Sequence, residues 1–156
     1  MIKQKPSFTD LIRSLSASPD KIMQLVEGLD NEIIHRHPAL DEWNVAETVF
    51  HLRDIEPQYR ARLKRIVVED TPKVPAIWPS PIPDPLPSLI ESMDSFRIER
   101  AITIDFLSAL PPEAWERQAH HATLGTVNIH DQVKSLLEHD EDHFYQIVDI
   151  LDTQKK

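Results

Sequence analysis

The sequence predicts an all-α protein built as a four-helix bundle, with a long proline-rich crossover between its second and third helices. Three observations carry that expectation. Four stretches place apolar residues at helical spacing. Only 2 glycines stand among 156 residues that are 40% apolar, which suits a bundle better than a turn-rich β fold. The prolines from Pro72 to Pro87 crowd into one connection between two such stretches. At this length one domain spanning residues 1–156 is expected.

The first helical stretch covers residues 8–29, with Phe8, Leu11, Ile12, Leu15, Ile22, Leu25, Val26 and Leu29 on its apolar face. Ser18 can cap and Pro19 suits a first helical position, so the helix is expected to kink and restart there. Gly28 marks its end. Residues 30–35 read as a short helical turn stopped by Pro38. The second long helix opens with a capping box, Asn44 as cap and Glu47 reaching back to its amide, and runs to about Val68. Val45, Val49, Leu52, Ile55, Tyr59, Leu63 and Ile66 form its stripe. Pro57 lies inside it and should kink it, because proline removes a backbone bond and crowds the carbonyl of Arg53.

Residues 70–87 form the crossover, expected to be extended and to pack Ile77 and Trp78 across one end of the bundle. The third helix should run over 86–110 until Pro111 and Pro112, with Leu89, Ile90, Met93, Phe96, Ile104 and Leu107 as its stripe. A short irregular or extended piece fits between Trp115 and Gly125. The fourth helix covers about 128–151.

Composition removes many chemistries. Two glycines cannot supply a Gly-rich phosphate loop, and the absence of Cys removes disulfides, thiolate nucleophiles and Cys-ligated metals. Asp and Glu outnumber Lys and Arg by 26 to 17, a net charge of −9 that repels a phosphate backbone, so nucleic acid is not an expected partner. The N-terminus lacks the apolar run of a signal peptide and no segment is long and apolar enough to span a bilayer. A cytoplasmic protein without membrane partners is expected.

The 8 histidines sort by position. In the fourth helix the seven-residue lane of Ile129, Leu136, His143 and Ile150 is apolar apart from the histidine. The adjoining lane holds Gln132, His139 and Gln146. His139 and His143 therefore share an inward face one turn apart, a spacing that lets two imidazoles chelate one metal. The acidic run around them, Asp140, Glu141 and Asp142, can orient ligating rings or can be a solvated face. His51 stands at the flank of the second stripe and is the long-helix histidine outside the fourth helix, so His51, His139 and His143 form the natural triad. His35, His37, His120, His121 and His130 read as surface residues. The competing explanation for the triad is a set of hydrogen-bonded core histidines in a scaffold.

Glu56 projects among the apolar residues of the second helix, and Arg97 and Arg100 lie on the stripe of the third. Buried charges need partners, so Glu56 is expected to pair with Arg97 or Arg100, as a core ion pair in preference to a site for a substrate carboxylate.

The segment Trp43-Asn44-Val45-Ala46-Glu47 followed by His51-Leu52-Arg53-Asp54-Ile55-Glu56 resembles the W-S-x-x-E-x-x-x-H-L-x-D-x-E opening of the DinB/YfiT-like superfamily. Glu138-His139-Asp140-Glu141-Asp142-His143-Phe144-Tyr145-Gln146 resembles its H-D-x-x-H-x-x-Q closing motif, and Phe96-Arg97 through Pro111-Pro112-Glu113-Ala114-Trp115 resembles the part between. The resemblance implies a bundle holding one divalent metal on His51, His139 and His143, in a chain that forms a homodimer. It implies activities of two kinds, transferases that use low-molecular-weight thiols and metal-dependent hydrolases acting on small molecules. Two positions depart from the pattern. Asn44 replaces Ser, which caps equally well, and Pro57 is expected to re-aim His51 and reshape the pocket.

Three neutral imidazoles would leave a divalent cation its full charge and an open coordination position, the mark of a catalytic site. Zinc or nickel suits imidazole ligands best, with iron or manganese as alternatives. Such a site can activate water or a thiol. Glu47, one turn before His51, is a base candidate but is already used by the capping box. No catalytic residue is assigned beyond the metal ligands. The alternative to an enzyme is a bundle that binds metal or ligand without turnover.

Overall fold

Side-chain caps set where the helices begin. Ser7 Oγ accepts from Asp10 N and opens α1 (Phe8–Val26). The Asn44–Glu47 box opens α3 (Val45–Val68), and a second box, Ser88 with Glu91, opens α4 (Leu89–Ser108). The short α2 spans Asn31–His35, and α5 spans Ile129–Gln154. The computed structural model describes residues 4–154. Residues 1–3 and 155–156 belong to the expected domain, and the first three to the stretch read for a leader; both lie outside the described residues.

The long helices form the expected bundle. α3 packs on α4 and α5, and α1 packs on the same two, so α1 and α3 stand on opposite corners. Among the described residues, no helix is long and apolar enough to cross a membrane.

A small sheet caps one end of the bundle, an element the all-α expectation did not contain. β1 (Lys73–Val74) pairs parallel with β2 (Gln118–His121), which pairs antiparallel with β3 (Gly125–Asn128). Gly125 closes the hairpin with a φ of 76°. His121 Nδ1 accepts from the amides of Thr123 and Leu124, which spends this histidine on the turn. Between α4 and β2, a 3-10 turn (Pro112–Glu116) buries Trp115, which stacks on Phe8 at 4.6 Å.

The restart expected at Pro19 does not occur, whereas α3 runs to Val68 as expected with Pro57 inside it. Pro57 faces solvent, so the carbonyl it frees can be hydrated. Pro19 frees the carbonyl of Leu15, and Arg100 Nη1 donates to that oxygen at 2.8 Å.

The crossover is pinned by polar ties. Arg62 Nη2 donates to Pro75 O and Asp54 Oδ2 accepts from Ser80 N at 3.3 Å. Trp78 is 76% exposed, contrary to the packing expected of it, and Ile90 at the outward start of α4 is also exposed. The Asp84–Pro85 peptide is cis.

Two apolar clusters fill the bundle. One holds Leu15, Leu63, Leu107 and Leu136 beneath the sheet. The other holds Ile22, Leu52, Phe96 and Ile147 at the opposite end. Between them every long helix contributes polar residues: Ser18, Glu56, Arg100 and Asp140 are all buried. This polar belt divides the core at the level of the histidines.

Candidate metal centre

α3 supplies His51 from its second turn, and α5 supplies His139 and His143 from consecutive turns. The fold brings the three rings together. His51 Nε2 lies 2.9 Å from His139 Nε2, and His143 Nε2 lies 3.1 Å from the same atom. His51 is buried and the other two are half-buried. Gln146 Oε1 accepts the Nδ1 proton of His143 at 2.7 Å, which leaves the His143 Nε2 lone pair pointing at the cluster.

Protons alone do not satisfy this arrangement. His143 has committed its proton at Nδ1, so its Nε2 can only accept. One N–H on His139 cannot serve both neighbours with good geometry, and an Nε2 lone pair there leaves the contact with His143 unmade. A divalent cation fits the donor set. Imidazole nitrogens bound to one tetrahedral zinc stand roughly 3.3 Å apart, close to the observed spacing. Together the three histidines offer ligand atoms within 4.8 Å of one another.

Burial keeps His51 and His139 neutral. Burial, followed by the neighbouring His143 and His139, lowers His51 to about 3. Burial, followed by His143 and Arg100, lowers His139 to about 4. Both lone pairs are therefore available at neutral pH. Nδ1 of His51 and of His139 are buried without a partner among the described residues, so only His143 has a hydrogen-bonded support. The other two rings are held by packing. Trp43 stands 4.8 Å from His51 and 6.3 Å from His143, and Tyr59 stands 6.4 Å from His139.

Beside the histidines, Arg100 crosses the bundle. Its Nε and Nη2 donate to the two oxygens of Glu56 at 2.7 and 3.0 Å, and Nη1 and Nη2 donate to Asp140 at 2.7 and 2.9 Å. With the bond to Leu15 O, all five N–H groups are used. Glu56 thus pairs with Arg100 as expected. Arg97 does not share that role; its guanidinium lies half-exposed at 3.2 Å from Asp20. Asp140, read as a candidate second-shell or solvated carboxylate, is buried and serves Arg100 instead of a histidine.

Other expectations sort as follows. Glu47 completes the capping box and also accepts from His37 Nε2 at 2.6 Å, so it is spent as a base. His130 is buried rather than superficial, because its Nε2 donates to Pro6 O at 2.8 Å beneath Trp115. Trp43, Tyr59 and Gln146 surround the triad without having been singled out for it. Gln146 shares the seven-residue lane of His139 and matches the last residue of the closing motif, the two signals that pointed to it. A groove of about 580 Å³ between α1 and α5 contains none of the three histidines.

Comparison with known proteins follows from this geometry. Residues 14–147 match the model of the DinB superfamily. A protein of Oceanobacillus iheyensis named "Putative metal-dependent hydrolase OB0413" is 21% identical, covering 94% of this chain and 88% of its own length. The solved structure of YfiT from Bacillus subtilis, described as a probable metal-dependent hydrolase with an unusual four-helix bundle topology, superposes with a TM-score of 0.83. That match is 20% identical and covers 94% of this chain and 87% of the other.

Proposed function

The chain belongs to the DinB superfamily, and from that premise we propose that it is a metal-dependent enzyme for a small-molecule substrate, with the metal held by His51, His139 and His143. The observation that carries the reading is the convergence of three Nε2 atoms, two on rings that burial holds neutral and one on a ring that gives its Nδ1 proton to Gln146. When bound, a divalent cation supplies Lewis acidity and an open position for water or a thiol. The chain's own residues do the rest. Gln146 fixes the His143 tautomer, burial keeps His51 and His139 unprotonated, and Trp43 and Tyr59 wall the site.

The names carried by the two similar proteins favour hydrolysis over thiol transfer. Zinc is the cation expected first, from the all-imidazole donor set. The test is metal analysis of tag-free protein after incubation with zinc. One equivalent is expected in the native chain and none in His139→Ala/His143→Ala. Retention of zinc by the double variant would overturn the ligand set. Turnover of an ester and amide panel without thiol supports the hydrolase. Turnover only when a small thiol is consumed reassigns the site to transfer, and bound zinc with no turnover in either panel reduces it to a binding module.

A further inference from the structure

Arg62 is the other buried arginine, and its surroundings contrast with those of Arg100. It is 7% exposed and has no carboxylate within ion-pair distance among the described residues. Its Nη1 donates to Gln132 Oε1 at 3.0 Å and its Nη2 to Pro75 O, both neutral acceptors. Of five N–H donors, three have no acceptor among the described residues. No Arg62 atom figures among the sealed, partnerless polar atoms, so the unused Nε reaches solvent. A buried guanidinium without an anion is costly unless a ligand supplies one.

Its position ties it to the histidine cluster. The Tyr59 ring stands 6.4 Å from the His139 ring and 5.7 Å from the Arg62 guanidinium. Gln132, which holds Nη1, lies in the same α5 lane as His139. On the far side of Pro75, a groove of about 460 Å³ is lined by Lys73, His120 and His121 and by no acidic residue. In a chain of net charge −9, Lys73 and Arg62 give this corner two cations with no acidic residue lining the groove.

We propose that Arg62 is an anion subsite that takes the carboxylate of a small ligand lying across Tyr59, with the ligand's reacting end at the histidine cluster. This inference rests on the metal-site reading for the second end of the ligand and on Arg62 alone for the first. The carboxylate can belong to the substrate or to a thiol co-substrate. The planar fork suits a carboxylate held by two parallel bonds, which a lysine cannot reproduce.

The experiment compares ω-mercapto acids of two to six carbons with their neutral amides on the zinc-loaded full chain by calorimetry. Glutarate and glutaramide are compared in the same way, with and without zinc. The best acid should bind at least about tenfold tighter than its amide. That preference should fall to within about twofold in Arg62→Met and recover only partly in Arg62→Lys, with zinc stoichiometry unchanged. A preference shown by thiols alone identifies the co-substrate as the source, and one shared by glutarate identifies the substrate. If Arg62 only braces the crossover, Arg62→Lys and Arg62→Met will lower stability and leave the acid preference intact, which overturns the proposal. If the native chain binds no zinc, the metal reading fails separately. Glutarate preference in the metal-free arm then decides Arg62, and its absence there sinks the subsite.

Discussion

Among the described residues, Gln146 is the single side chain that fixes a histidine tautomer at the proposed centre. Its Oε1 holds the proton on His143 Nδ1 and so directs Nε2 at the cluster. Replacing it with leucine keeps the helix and removes the acceptor, and zinc affinity should fall about 10–100-fold. Competition with a chromophoric chelator measures this, and an affinity equal to the native chain's would show that packing alone orients the ring. At this scale the sequence revealed half of the centre. His139 and His143 were legible because a one-turn spacing on an inward lane has a direct geometric meaning. His51 followed as the one long-helix histidine outside the fourth helix. Trp43 was legible only as the first residue of the opening motif, because it precedes the capping box and belongs to no helical period. His130 was misread for a related reason: its partner, Pro6 O, lies at the opposite end of the chain, where spacing within a helix carries no information.

The helices are joined through a carbonyl that one of them cannot use itself. Pro19 has no N–H for Leu15 O, and Arg100 from α4 fills the place while holding Glu56 of α3 and Asp140 of α5. One guanidinium thus ties all four long helices at the level of the histidines. Arg100→Met would strand two buried carboxylates and should destabilise the chain by about 3–5 kcal/mol, read from urea unfolding. Glu56→Gln should cost less, because Arg100 keeps Asp140. If Arg100→Met unfolds at native urea concentrations, the belt does not hold the bundle together. Element boundaries were largely legible, since the Asn44–Glu47 box and the run of apolar residues to Val68 match α3 as it stands. The unbroken course of α1 through Pro19 was not, because spacing shows where a backbone bond is lost and not what replaces it. The sheet escaped notice because β1 is two residues long and its partner is far off in sequence.

Across the whole molecule, the polar belt separates two apolar cores and carries the groups that answer to pH. Unfolded histidine titrates near 6.5, whereas burial lowers His51 to about 3 and His139 to about 4 in the folded chain. Below pH 6.5 the unfolded state therefore takes up protons that the folded state refuses. The stability contributed by the two neutral rings is fully present above 6.5 and drains away as pH falls through 6.5 toward 4 and then 3. Metal-free protein, kept in chelator, should show a melting temperature that holds above pH 6.5 and declines as the pH is lowered toward 5, before most carboxylates begin to protonate. In His51→Gln/His139→Gln the decline over that window should flatten, since neither replacement titrates. A double variant whose melting temperature falls as steeply as the native chain's would place the proton uptake elsewhere, and the belt's histidines would then have no part in the acid response.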